Sequence, residues 1–577
     1  MNKLLIAGVV VSAGVVGYLV NQGDESPQVS SPKLPSELEF VPADTVVFSG
    51  QLSPFPLKKY LQATNFQQSA MPDELMAELE KESDPQKRFL ASLLKTYFAS
   101  ATSAEQFQKT YGMADEMKAL MYTVGLLPVI RYQVSDESAL WAMLDQAETD
   151  SGFTHQPRTL KGLNYRAYTF GAENSDKPVE LLVAQQDGWA TFTMNTPVNT
   201  EDDLEVALAL TKPLSSLADN TVLDDITARH GFDGSSVSFI DHQVIATALT
   251  TNSGNKLAEM ITQAQKLANK NSLQALRNAE CQKEIGEIAS NWPRTSFGLY
   301  KSDITQDHVS MHTGMVIESK SSVVMKALSS IQGYLPAYLN EEQAFGMGIG
   351  IDADTLNPAL ASLWNNMLQP TYQCQPLQEM QASVKASNPA ALAMFTGMVQ
   401  GVKGVGVSLL DFTLDVQDGV PSVQNIEAIA SLSATNPDVL FNMTKVFAPP
   451  LAQIELPTDG SPVDLSYLVP TEAGVQFQPM LAHKGEHLVL YAGKKGEAEA
   501  NKLASEKTKS NGFMNLSMDY SRVLEPLLPV IGMSAEPEIQ EQLQMLKNLD
   551  MQVKIDMRMN PQGVEVRTEM ELDSKKK

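Results

Sequence analysis

Apolar and polar positions alternate with a period of two through the last stretch of the chain. Met551, Val553, Ile555, Met557 and Met559 are separated by polar residues. After the turn-forming Asn560-Pro561-Gln562-Gly563, Val564, Val566, Met570 and Leu572 alternate with Glu565, Arg567, Glu569 and Glu571. Side chains of a strand point to opposite faces in turn, so this pattern predicts a long hairpin with one buried and one wet face. A second long hairpin is predicted from Ser296–Tyr300 and His308–Glu318, with Val309, Met311, Met315 and Ile317 on its apolar side.

The two hairpins close two blocks that read alike. Strand-like Val46–Leu52 and helix-like Leu57–Ala63 correspond to Ala344–Asp352 and Leu356–Met367. Val129–Val134, the N-cap Asp136 and the helical spacing of Ala139–Ala147 correspond to Glu427–Leu432 followed by Val439–Val446. Trp189–Met194 before Asp202–Leu210 matches Leu488–Ala492 before Ala498–Ala504. Ser236–Asp241 matches Phe513–Asp519, each ending in an Asp that opens a helix. A fixed order of recurring elements points to an internal duplication, with insertions taken up in loops. The first block carries an extra helical insert, Asp73–Leu120, in which Leu90, Leu93, Leu94, Tyr97 and Phe98 share a face.

Leu4–Val20 is one uninterrupted apolar run, with Lys3 before it and Asp24 and Glu25 after it. It is at the short end of what a membrane-spanning helix requires, and no small-x-small cleavage site follows. An uncleaved anchor is therefore expected, with its positive amino-terminal side cytoplasmic and the bulk of the chain in the periplasm. Asn21–Pro35, rich in Pro and Ser, reads as a tether. The formal net charge is -25, which opposes contact with phosphate backbones and argues against nucleic acid as a partner. Cys281 and Cys374 are the two cysteines in the chain, and export predicts that they are bonded, stapling one block to the other.

No stretch carries a catalytic signature. His483-Lys484-Gly485-Glu486-His487 has the letters of an inverted zinc-protease motif, which requires a helix to stack its two histidines. Here strand-like residues flank a Lys-Gly turn, so a hairpin is expected and no metal. His308 and His312 stand four residues apart on a strand, about 13 Å, too far to share one ion, and are expected to be exposed. His230 and His242 have no nucleophile in any recognisable spacing. Gly346-x-Gly348-x-Gly350 falls within a strand and indicates close backbone packing rather than a phosphate loop. Asp352-x-Asp354 lacks the Gly and Glu of a calcium loop. The 27 methionines, many alternating with polar residues, are expected in the core, although Met also suits adaptable binding faces.

Val41-Pro42-Ala43-Asp44-Thr45-Val46-Val47 resembles the opening strand of an uncharacterised family of bacterial envelope proteins, where it follows a signal or anchor. The resemblance implies location and no activity. The expected architecture is α+β: an anchor (1–20), a linker (21–35) and two related lobes (36–330 and 331–577). Each lobe is expected to have an antiparallel sheet with helices on one face. The expected function is non-enzymatic binding or scaffolding in the envelope, for an apolar ligand, a lipid-like molecule or a partner protein, without cofactor, metal or catalytic residues. The alternative is an envelope hydrolase whose residues form no linear motif.

Overall fold

A computed structural model describes residues 36–64, 79–171, 178–387, 399–417, 420–447, 451–469, 478–534 and 549–574. The expected anchor and tether lie outside these residues. No helix among the described residues is long and apolar enough to cross a membrane. The fold is mixed α+β, built on antiparallel sheet. It divides into two compact units. The first comprises Met1–Glu318 with Tyr372–Leu377, and the second Ser319–Thr371 with Gln378–Lys577. The division therefore falls at Glu318, ahead of the expected 330, and the helix Ser322–Ser330 packs on Ala353–Leu368 in the second unit.

The first unit contains β1 (Val47–Phe55), β2 (Met117–Val124), β3 (Leu127–Gln133), β4 (Gln156–Leu160), β5 (Leu163–Phe170), β6 (Val179–Gln186), β7 (Trp189–Asn195), β8 (Ser236–Asp241), β9 (Arg294–Ile304) and β10 (His308–Glu318). Their spatial order is β4-β5-β6-β7-β3-β2-β1-β8-β9-β10. The second contains β11 (Phe345–Ile349), β12 (Val402–Gln417), β13 (Val420–Ala434), β14 (Val463–Asp464), β15 (Met480–Lys484), β16 (His487–Ala492), β17 (Met514–Asp519), β18 (Leu549–Asn560) and β19 (Gly563–Ser574). Their order is β14-β15-β16-β13-β12-β11-β17-β18-β19. With β4 set aside, the two orders coincide strand for strand.

Registers coincide as well. Val47 faces Ile240, one residue before Asp241, as Phe345 faces Met518, one residue before Asp519. Phe48 pairs with Tyr122 and Tyr122 with Val129, as Gly346 pairs with Ser408 and Ser408 with Ile429. Gln133 faces Trp189 as Ser433 faces His487. Asp241 caps the helix His242–Thr250 through the backbone N–H of Gln243 and Val244. Asp519 likewise accepts from the N–H of Arg522. Asp136 caps Glu137–Ser151, as its type and position indicated.

Helices lie on both faces of the first sheet, not on one. Ala167 shares a buried cluster with Leu204 and Ala207 of the helix Glu201–Ala207 and with Leu223 and Ile226 of Val222–His230. The next residue, Tyr168, points the other way and stacks on Phe89 of Pro85–Ser100, 4.6 Å between centroids. That helix buries Phe89, Ala91 and Ser92, while the expected leucine stripe is only half-buried. The insert is not a separate addition either. Met117–Leu120 belongs to β2 inside the shared sheet, and the helices Ala353–Leu368 and Gln375–Ala386 stand at the corresponding point of the later copy, between β11 and β12.

The Pro-Ala-Asp-Thr opening is accounted for by local bonding. Thr45 Oγ1 lies 2.9 Å from the Val47 carbonyl oxygen and 3.2 Å from Thr123 Oγ1, and Asp44 accepts from the N–H of Lys256. Cys281 and Cys374 stand at disulfide distance, with Cα atoms 4.6 Å apart. Both belong to the first unit, because Tyr372–Leu377 packs there. Glu284 secures the same segment by accepting the N–H groups of Gln373 and Cys374.

Candidate functional site

The two sheets share a register but not a chemistry. In the first, one row across the strands is Ser238, Ser49, Met121, Ile130 and Phe192. Its serines are buried and joined by a 2.6 Å hydrogen bond. The equivalent row of the second is Leu516, Met347, Val407, Ala430 and Leu490. Beside it runs Met514, Ile349, Val405, Leu432 and Leu488 on one side, and Met518, Phe345, Leu409 and Ala428 on the other. Strand β18 extends all three rows through Ile555, Met557 and Val553. None of these side chains is charged.

This face is open. Met347, Val405, Val407 and Leu490 are 41–48% exposed, and Met514, Met518, Met557, Ile349 and Leu432 are half-buried. At one end Leu488 lies against Phe441 and Ile454, and His483 closes the row by pairing with Asp438 at 3.0 Å. Methionines of the core do occur, among them Met117, Met260 and Met311. Those of β17 and β18 are outside it, contrary to the expectation that alternation places them there. Alternation fixes which side of the sheet a residue takes, and whether that side is covered depends on distant segments.

Titratable groups gather elsewhere. Glu318, expected on the polar side of its hairpin, is buried. A β-bulge between His312 and Thr313 reverses the alternation, so burial passes from Val309 and Met311 to Gly314, Val316 and Glu318 rather than to Met315 and Ile317. Glu318 accepts from Ser296 at 2.5 Å and lies 3.1 Å from Nε2 of His230, with Arg294 and Arg229 at 3.5 and 3.6 Å. Burial alone raises its pKa. The His230 and Ser296 hydrogen bonds and the Arg294 charge outweigh this and bring it below the ordinary value. Ser296 donates to the carboxylate and not to His230, so the three do not stand in the order of a serine–histidine–carboxylate triad. His242 is taken up by the Trp292 carbonyl and Thr295.

A third group has no linear signature. Oε1 of Glu148 receives Tyr168 at 2.7 Å and Nδ1 of His155 at 2.6 Å, with Arg166 at 3.3 Å. Arg166 also pairs with Asp145 and lies over Trp141, 4.7 Å from the ring centroid. Burial, reinforced by the hydrogen bond to Glu148, pushes the Tyr168 hydroxyl well above its usual range. The helix Glu137–Ser151 sets Trp141, Asp145 and Glu148 on one face by i, i+3 and i+4 spacing, the signal from which this cluster could have been read.

His483 and His487 lie on the hairpin β15–β16, not on a helix. His483 faces Leu488, the neighbour of His487, so the two rings are on opposite faces. His308 and His312 are half-buried rather than exposed. Among the described residues no group of three or more His, Cys, Asp or Glu could hold a metal ion. The glycines of β11 and β12 do permit close packing. A Cβ on Gly404 or Gly350 would collide with backbone oxygens, of Tyr334 and Gly512 respectively. The segment Gly333–Gln343 thus lies directly on the sheet, on the face opposite the open one. No family model, no curated protein and no solved structure matches this chain.

Proposed function

We propose that the chain is a membrane-anchored, non-enzymatic binding or scaffold protein of the bacterial envelope. Its second unit receives an apolar stretch of another envelope polypeptide on the open sheet face. The observation that carries this reading is the set of uncharged rows through Met347, Val405, Val407 and Leu490. Exposed contiguous apolar surface of this kind marks interaction sites, and methionine adapts to irregular partners. A polypeptide suits the face better than a lipid. The chain's charge of -25 repels anionic headgroups, and an acyl chain requires enclosure that residues at this exposure do not give. Leu4–Val20 supports membrane attachment, and the Cys281–Cys374 pair supports an oxidising compartment. The shared strand order and register support descent of both units from one duplicated ancestor.

A photo-reactive side chain placed at Val407 in the full-length protein in cells tests the reading. A discrete polypeptide adduct is expected, lost when Val405→Glu and Met347→Glu are added in a chain that still folds. Adducts to lipid, adducts only to a second copy of this chain, or none at all would overturn it.

A further inference from the structure

Among the described residues, the sheet face beneath Gly333–Gln343 holds one imidazole ring. His487 occupies the position that Trp189 takes in the first unit, opposite Ser433 as Trp189 is opposite Gln133. It is fully buried. Nδ1 is 2.9 Å from Ser433 Oγ, and Nε2 has no hydrogen-bond partner. Its cover is Tyr334, whose ring centroid lies 5.4 Å away. Tyr334 belongs to a strap, residues 332–343, whose N–H groups at Gly333 and Tyr334 bond the carbonyls of Gly350 and Lys403 and whose Tyr338 and Leu339 are buried in the core. Asn511 bonds both the N–H and the carbonyl of Leu335, Glu506 accepts from Tyr334 and the Ala337 N–H, and Tyr338 bonds Ser431. In the first unit Phe40 packs over Arg131 in the equivalent place, and the position of His487 is held by Trp189, which does not titrate.

We propose that His487 is an acid-sensitive latch: in its neutral form it lets the strap close over the second sheet, and protonation releases the strap. A cation under Tyr334 would be fully buried and cut off from water, a cost that the Glu506 backbone carbonyl offsets only in part. Lifting the strap restores access to water. The charged and titratable groups facing the ring are Glu486 beside it in the turn between β15 and β16, Tyr334 and Tyr338 on the strap, and Glu506 and Lys507 on the loop after Gly493–Leu503. The two glutamates favour the protonated ring and Lys507 opposes it. Burial, the largest influence, opposes it more, and the pKa is lowered. The folded value being depressed, the strap's stability is complete above the ordinary histidine pKa near 6.5. It declines as pH falls below that toward the folded value, by up to about tenfold in the opening equilibrium per pH unit.

Hydrogen exchange of the full-length wild-type protein at pH 7, 6 and 5, corrected for intrinsic rates, tests this. Exchange of the amides from Tyr334 to Ala344 should accelerate on acidification, while those from Leu38 to Val41 in the first unit should not. His487→Phe should remove the acceleration. If that variant does not fold, imidazole chemical shifts of the wild type report whether His487 titrates together with strap opening. A strap whose exchange ignores pH, or one that loosens in step with the first unit, would overturn the proposal. Acceleration that persists in His487→Phe would overturn it too.

Discussion

Single residues show how much of the fold rests on polar groups with partners far away in the chain. Glu318 is held by Ser296 and His230 and balances Arg294 and Arg229. Glu318→Gln keeps the shape and removes the charge that faces the half-buried Arg294 and the exposed Arg229. A loss of about 1–3 kcal/mol is expected, read as an earlier denaturation midpoint of the first unit. The wild type should lose the contribution of this charge with acid. The carboxyl's folded pKa lies below its ordinary value near 4.5, so its contribution is complete above that pH and disappears as pH falls through the folded value. Asn511 shows the complementary case, one amide that supplies both a donor and an acceptor to Leu335. Asn511→Asp keeps the acceptor and loses the donor. Because Asn511 is exposed, the substitution should destabilise the second unit by only about 0.5–1.5 kcal/mol, measured by chemical denaturation. Neither site was legible in the sequence, because each depends on a partner outside its own element. Glu318 also depends on a bulge at His312 and Thr313 that no residue type announces.

At the level of elements the sequence was far more informative. Period-two alternation located β18 and β19, and the Asp that ends β8 and β17 located the helices that follow. The Gly-x-Gly-x-Gly run correctly indicated a backbone lying close to a strand. Its consequence can be graded. A Cβ at Gly404 meets the carbonyl of Tyr334, which cannot move without the strap, whereas at Gly346 it meets only the end of the Gln343 side chain. Gly404→Ala should therefore cost the second unit several-fold more stability than Gly346→Ala, compared by denaturation midpoints. What alternation could not disclose was which face ends up covered. The methionines of β17 have the same period as buried strands, and only the packing of remote segments separates the two cases.

For the whole molecule, the cysteine pair gives a direct check on compartment. Protein unfolded without reductant should show no thiol to alkylation. Replacing both cysteines by serine should lower first-unit stability by about 4–5 kcal/mol for a separation of 93 residues. Two free thiols would count against the bond. The common strand order has a further consequence, for the order of assembly. In each unit the first strand made is a central one: β1 waits for β8, and β11 for β17, until most of the unit has been synthesised. During that interval β1 has an unpaired edge, and the later copy supplies β17, a strand with the register of its true partner. A chain that emerges slowly completes each sheet in turn. A chain released unfolded all at once offers β1 two suitors, and refolding from denaturant should yield exchanged pairings that synthesis from one end avoids.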